Sequence, residues 1–340
     1  MASDRAARLR AQLHANHELR PIFTSLNGDN SWLLSFPRPV AERERTGKAY
    51  FHVVHDPWLT GPNVLGSSWL VFIDLSTPAA VKDGAGVEQV AREIESAAAD
   101  AGLIETAQVD AVDKESPLDA IFINLHYGDH LHEPTLLTFR SSIPVFTTTE
   151  GAAVVKKMGH FATVKTYADI DPATFTGHWT ALHPGAPLPS YLTLFRITGH
   201  HELNFLTALL WTPKPGVHEA ILYSPHGMYT STPALQTLLH RSTPRFTTLA
   251  LLHGLKESWT FNWQTTFGVA SGSQLFKQSG ARYWINTHND RLAYGGLVWW
   301  FNKDIFRTVE WWLGQEKGRE GKDRKLKVED VGNGDYFILA

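Results

Sequence analysis

Short apolar segments separated by turn residues recur along the whole chain, and they are typical of β-strands joined by loops. In the first half, the predicted strands cover residues 31–36, 48–55, 68–74, 118–125 and 143–147. In the second half, they cover residues 191–197, 204–211, 219–224, 246–252 and 281–286. The pattern therefore predicts two β-rich halves.

Apolar residues at helical spacing predict helices between these strands. The clearest helix covers residues 86–101, and others are predicted over about 4–17, 150–158, 232–240 and 267–279. Residues 168–190 are rich in Pro, Gly and Thr and are predicted as a long connection, and about 316–340 as a charged tail. Two β-rich halves with helices favour an α/β fold with two mixed sheets flanked by helices. No linker or repeat divides the chain, so we predict a single domain over 1–340.

The overall charge and the cysteine content exclude several classes of protein. The 340 residues carry a formal net charge of −3, so no basic field favours nucleic acid or an anionic membrane. No apolar run is long enough for a membrane span, and the charged N-terminus is unlike a secretory signal, so we expect a cytoplasmic protein. Cysteine is absent, which excludes thiol chemistry and cysteine metal sites. Any bound metal must therefore use His, Asp or Glu, and the chain has 17 His.

Histidines follow five of the predicted strands at the point where each strand ends. Asp129 and His130 come after the strand at 118–125, and the other strand ends carry His200 with His201, His226, His253 and His288. Residues just past a rigid strand are held well enough to bind a metal or a substrate. If these strand ends meet at one edge of the sheets, the imidazoles share a site.

A simpler interpretation of the first of these loops also fits its sequence. Asp129 could be the cap of a short helix that begins near Pro134.

Other enzyme classes receive little support, because the chain has no GxSxG elbow, no phosphate-binding GxxxxGK[ST] loop, no GxGxxG after a strand and no HExxH.

Several short motifs occur in order over about residues 25–300: Asn30-Ser-Trp-Leu33, Asp56-Pro-Trp-Leu59, Asp129-His-Leu-His-Glu-Pro-Thr-Leu136, Tyr223-Ser-Pro-His-Gly227, Leu252-His-Gly254 and Trp284-Ile-Asn-Thr-His288. Together they resemble the motifs of the metallo-β-lactamase-fold superfamily, and within it those of a fungal group with a degenerate metal motif. The resemblance implies an αββα sandwich with its site at one edge of the sheets.

The superfamily's HxHxDH motif falls on residues 125–130, and there the chain departs from it. Leu125 and Tyr127 stand where the first two histidines are expected, so one of the family's two metal sites loses two of its three ligands. The resemblance implies that the other site survives as Asp129, His130, His226 and His288, with His226 in place of the usual bridging Asp. The family's middle His would be His200 or His201, and the sequence does not decide between them.

The main functional hypothesis is a hydrolase with a single divalent metal, Zn²⁺ before Mn²⁺ or Fe²⁺. The resemblance favours a small organic substrate such as a lactone, ester or amide, and Asp129 or His253 would accept the proton of the attacking water. The alternative is a metal-free member of the fold that uses its histidines for acid–base chemistry or ligand binding. A structural or interaction protein is the third possibility, and the oligomeric state is left open.

Overall fold

The computed structural model describes residues 2–16, 18–65, 67, 69–104, 116–170, 175–297, 299–316 and 326–340. The chain divides into two compact units. The first unit comprises residues 1–61, 77–166 and 331–340. The second comprises residues 62–76 and 167–330. No helix among the described residues is long and apolar enough to cross a membrane.

The strands and helices alternate along most of the described chain. The strands are β1 Ile22–Ser25, β2 Trp32–Pro37, β3 Tyr50–His55, β4 Asn63–Leu65, β5 Val71–Leu75, β6 Ala120–Ile123, β7 Val145–Thr147, β8 Val164–Thr166, β9 Ala168–Ile170, β10 Leu192–Thr198, β11 Phe205–Lys214, β12 Val217–Tyr223, β13 Thr247–Leu252, β14 Glu257–Thr260, β15 Trp263–Phe267, β16 Tyr283–Ile285, β17 Leu292–Gly295, β18 Asn302–Ile305, β19 Val328–Glu329 and β20 Tyr336–Ile338. The α-helices are α1 Ala2–Asn16, α2 Val40–Thr46, α3 Gly84–Asp100, α4 Glu133–Leu136, α5 Thr149–Met158, α6 Pro233–Arg241, α7 Gly268–Ser279 and α8 Val309–Glu316.

The first unit is built on a seven-stranded mixed sheet with the order β20-β1-β2-β3-β6-β7-β8. Strands β1, β2 and β3 pair antiparallel, and β3, β6, β7 and β8 pair parallel. Parallel strands are usually buried on both faces. The strand β6 is such a strand, because all four of its residues are buried.

Helix α3 packs against the sheet of the first unit through an apolar face and one buried carboxylate. Asp83 begins the helix, since its side chain accepts a hydrogen bond from the backbone N–H of Gly86 at 2.8 Å. On the buried face, the Glu95 carboxylate accepts the backbone N–H groups of Ala49 and Tyr50 at 2.7 and 2.9 Å. The apolar residues of this face, Val87, Val90, Ala91, Ile94 and Ala98, are those that the helical spacing predicts.

The second unit is built on another seven-stranded mixed sheet, with the order β19-β16-β13-β12-β11-β10-β9. Its strands β12, β13, β16 and β19 are parallel, so β12, β13 and β16 end at the same edge. Two three-stranded sheets, β15-β14-β18 and β17-β5-β4, belong to the same unit. The residues that follow β12, β13 and β16 are therefore brought close to one another.

The structure also contains strands in places where the sequence predicts none. Strand β1 is missed, and β9 and a 3₁₀ turn at Trp179–Leu182 lie within the predicted connection. The predicted tail contains β19 and β20, which pair with β16 and β1. Residues 317–325 of that tail, residue 17 of the first predicted helix and residue 68 of the third predicted strand lie outside the described residues. Short strands at sheet edges lack the long apolar run that a pattern search detects.

Candidate functional site

In the first unit, Asp129 and His130 lie on the loop that follows β6, as the sequence predicts. The backbone N–H of His130 donates to the carbonyl of Tyr127 at 2.9 Å, which closes a turn. The Asn30 side chain donates to the Asp129 carbonyl at 2.6 Å. These bonds fix the loop on the end of a buried strand, so both side chains have defined positions.

A buried carboxylate orients the His130 ring. Asp56, which follows β3 directly, lies 2.7 Å from His130 Nδ1 through its Oδ2, and both side chains are fully buried. The other ring nitrogen, Nε2, lies 3.7 Å from an Asp129 carboxylate oxygen. A carboxylate that binds one imidazole nitrogen fixes the ring and its tautomer, and this is the usual arrangement behind a metal-bound histidine.

Asp56 is itself held by several groups of the first unit. Asn124 donates to its Oδ1 from the backbone N–H at 2.8 Å and from the side-chain amide at 3.0 Å. The same amide lies 2.8 Å from His55 Nε2. Asp56 has φ of 44°, a conformation that costs energy for any residue other than Gly. The surrounding contacts therefore hold this carboxylate in a strained position.

The charges around His130 change its protonation. Burial disfavours the charged ring, but the carboxylates of Asp129 and Asp56 outweigh it and raise the pKa of His130 to about 9. Burial likewise opposes ionisation of Asp56, but the neighbouring His130 and His55 lower the pKa of this carboxyl. Without a metal, Asp56 is thus a buried carboxylate beside the imidazolium of His130.

The residues that replace the first two histidines of the family motif lie on the same segment. The Leu125 side chain is buried, and the half-buried Tyr127 ring stacks on His126 with ring centroids 4.5 Å apart. The residue at the N-cap of helix α4 is His132 and not Asp129. The interpretation of Asp129 as a helix cap is therefore wrong, because the chain makes a further turn between Asp129 and the helix.

In the second unit, His226 and His288 come together after β12 and β16. Both are buried, and their ring centroids lie 4.7 Å apart at an interplanar angle of 72°. His226 Nδ1 lies 2.9 Å from the Thr266 hydroxyl, which fixes this ring and leaves Nε2 as the nitrogen suited to ligation. His288 has φ of 53°, another strained backbone position. The second unit thus supplies a pair of oriented imidazoles.

His253 follows β13 in the same unit, and its ring lies beside Gly227. Its Nδ1 donates to the Gly254 carbonyl at 2.6 Å, so Nε2 has the lone pair. Nε2 faces Gly227 and has no hydrogen-bond partner among the described residues. Burial lowers the pKa of His253 to about 4, so the ring is neutral at pH 7.

The two candidates for the family's middle His lie among aromatic rings of the second unit. The exposed His200 packs on Tyr229 and Phe267, with ring centroids 4.4 and 5.6 Å away. His201 packs edge-on against Trp263 at 4.1 Å. Both positions are explained by aromatic packing.

Three solved structures cover nearly the whole chain at low identity. An isothiocyanate hydrolase from Delia radicum gut bacteria matches with a TM-score of 0.53 and 13% identity, over 93% of this chain and 98% of that one. A possible metal-dependent hydrolase from Veillonella parvula matches with a TM-score of 0.51 and 9% identity, over 94% and 100%. The metallo-β-lactamase fold protein YhfI from Bacillus subtilis matches at 0.44 and 10%, over 93% and 99%. No family model and no curated protein matches the sequence.

The chain has the metallo-β-lactamase fold. The predicted fold class, with two mixed sheets and flanking helices, is confirmed, and this fold is the one that the resemblance implies. The fungal group and the single-domain organisation stay predictions. Identities of 9–13% show the fold alone.

Asp56, Asn124 and Thr266 are site residues that the sequence reasoning did not identify. Asp56 follows the end of β3, which is the placement that singled out the histidines, and it belongs to one of the motifs behind the resemblance. A search for any ionisable group at a strand end would have found it. Asn124 and Thr266 lack such a signal, because amides and hydroxyls are common in all loops.

Proposed function

We propose that this chain is a hydrolase of small organic molecules that uses one divalent metal ion, with Zn²⁺ the first candidate and Mn²⁺ or Fe²⁺ the others. The proposed ligands are Asp129, His130, His226 and His288. Each of these four side chains offers one ligand atom. Three imidazoles and one carboxylate are a donor set suited to zinc and similar ions.

The observation that carries the proposal is that hydrogen bonds to Nδ1 orient two of the histidine rings. Asp56 binds His130 through Nδ1, and Thr266 binds His226 through Nδ1, so the Nε2 atoms of both rings are the ones suited to a metal. The carboxylates of Asp56 and Asp129, which lie beside the buried His130 ring, also need a positive charge nearby. A proton supplies it in the free protein, and a bound cation can replace that proton.

One metal is proposed and not two, because a second site would lack ligands. Leu125 occupies the position of a family ligand, and its side chain is buried. An aliphatic side chain cannot ligate a metal. Tyr127, in the other replaced position, stacks on His126.

When bound, the metal would bring the pKa of a coordinated water to about 7 and polarise the substrate carbonyl. Asp129 is the first candidate to accept the water's proton, since its carboxylate is the more accessible of the two proposed acceptors. His253 is the second candidate, and its pKa near 4 makes it a weak base. A lactone, ester or amide is the proposed substrate class, and the hydrolase names of the two matching structures agree with this reaction.

The test is the metal stoichiometry of three proteins. Wild-type protein stripped with a chelator and dialysed against Zn²⁺ should retain one equivalent. Asp129→Asn and His288→Ala should each bring retention close to zero, because each removes one of the four ligands proposed for a single ion. His240→Ala, at an exposed position on α6, is the matched control and should retain one equivalent.

Two other results would reject parts of the proposal. Two equivalents in the wild type, each lost in a different variant, would mean two separate sites. The metal-free acid–base alternative would be favoured if the wild type retained no metal and hydrolysed model esters or lactones equally well before and after treatment with the chelator.

A further inference from the structure

The loop after β13 is bound to the loop after β16 by hydrogen bonds to the two residues that follow His288. The Asn289 side-chain oxygen accepts the backbone N–H groups of Leu255 and Lys256 at 3.2 and 2.7 Å. The Lys256 ammonium donates to the Asp290 carbonyl at 3.1 Å. Residues 289 and 290, which directly follow the proposed ligand, are thereby fixed to residues 255 and 256.

Lys256 is an unusual residue for such a position. Its side chain is only 1% exposed, although lysine is almost never fully buried. The centroid of the Phe306 ring lies 6.0 Å from the ammonium nitrogen, and no acidic side chain of the described residues forms a salt bridge with it. Burying an ammonium is costly unless its interactions compensate, so a purely packing role is better filled by an apolar side chain.

Gly254 makes the close approach of the two loops possible. A Cβ atom at this position would lie 2.7 Å from the Thr287 carbonyl oxygen and 3.3 Å from the His288 carbonyl oxygen. His288 between these contacts has φ of 53°. A non-glycine residue keeps such a conformation only when its surroundings enforce it.

We infer that Asn289 and Lys256 are positioning residues that hold the backbone of His288 in the conformation that directs its ring toward His226. The inference rests on the proposed function, because the expected consequence of this positioning is a higher affinity for the metal. Neither residue touches the proposed ion. They act through His288, as outer-sphere partners of metal ligands do, and removal of such partners typically lowers metal affinity about 10- to 100-fold.

Two substitutions separate the hydrogen bonds from the shape of Asn289. Asn289→Ala removes the acceptor of two backbone N–H groups, whereas Asn289→Asp keeps an oxygen at the same place. Zn²⁺ affinity, measured by competition with a chromogenic chelator, should fall about 10- to 100-fold in Asn289→Ala and stay within about threefold in Asn289→Asp. The visible spectrum of the Co²⁺-substituted protein should change only in Asn289→Ala, because the geometry of a ligand changes.

Lys256→Met gives a second, independent variant in case Asn289→Ala fails to fold. It keeps the length of the side chain and removes the ammonium, and its Zn²⁺ affinity should also fall about tenfold or more. Lys303→Met, at an exposed position on β18 of the same unit, is the matched control and should bind Zn²⁺ as the wild type does. Wild-type affinity and spectrum in both Asn289→Ala and Lys256→Met would overturn the inference.

Failure of the proposed function is distinguishable from failure of this inference. If the wild type binds no metal, the His288 backbone and ring resonances of the metal-free proteins are compared by NMR. A shift in Asn289→Ala and Lys256→Met, absent in Asn289→Asp and Lys303→Met, supports the positioning role without any metal. Unchanged His288 resonances in all four variants reject it.

Discussion

Asp56 is a fully buried carboxylate that hydrogen-bonds to the His130 ring and to two N–H groups of Asn124. Asp56→Asn removes one of the two carboxylates whose charge outweighs burial, so the pKa of His130 should fall from about 9. NMR titration of the metal-free protein measures this shift. Asp304→Asn, which changes a carboxylate of the second unit, is the control, and a His130 pKa that stays near 9 in Asp56→Asn would contradict the assignment.

His253 leads to a prediction about stability in acid. Its folded-state pKa of about 4 lies below the ordinary value of 6.5, so the unfolded chain takes up a proton first as the pH falls. The contribution of the neutral ring is fully present above pH 6.5 and is lost progressively as the pH falls toward 4. Between pH 6.5 and pH 4, the free energy of unfolding should therefore decrease less in His253→Gln than in the wild type, when each protein is compared with itself at pH 7.5.

Urea unfolding at a series of pH values between 4 and 7.5 checks the prediction for His253. The exposed His240→Gln serves as control and should keep the pH dependence of the wild type. If the free energy of unfolding of His253→Gln depends on pH as that of the wild type does, the pKa of this ring in the folded protein is close to its ordinary value.

At the scale of elements, helix α3 depends on Glu95 for its attachment to β3. The carboxylate accepts two backbone N–H groups and lies 3.0 Å from His52 Nε2. Glu95→Leu leaves these buried donors without an acceptor, so the free energy of unfolding should fall by about 3 kcal/mol or more. Glu95→Gln keeps one acceptor oxygen and should cost less.

Urea denaturation of the two Glu95 variants measures the difference. Glu44→Leu, on the exposed side of α2, should change the free energy of unfolding by no more than about 0.5 kcal/mol. Equal losses in Glu95→Leu and Glu44→Leu would mean that the buried carboxylate contributes nothing specific to the packing of the helix.

At the scale of the whole molecule, a metal that binds the folded chain alone must raise its stability in proportion to the logarithm of its concentration. Once Zn²⁺ exceeds its Kd, each tenfold increase should add about 1.4 kcal/mol to the free energy of unfolding. The melting temperature of the wild type should rise accordingly, and that of Asp129→Asn should not. Equal increases in both proteins would place the binding elsewhere on the chain.

Much of the fold was predictable because strands and helices leave local patterns. The ten predicted strands and the main helices are found close to their expected bounds, and the buried face of α3 consists of the residues chosen by their spacing. Ten short strands were not predicted, because two to five residues carry too weak a pattern: β1, β4, β8, β9, β14, β15, β17, β18, β19 and β20.

The sequence by itself determined the fold class, the absence of cysteine chemistry and the placement of Asp129, His130, His226 and His288 after strands. Only the tertiary structure decided which groups orient them. Asp56 and His130 are 74 positions apart, and His226 and Thr266 are 40 apart. Hydrogen bonds over such separations leave no periodic signal in the chain, because they form only when the fold brings distant segments together.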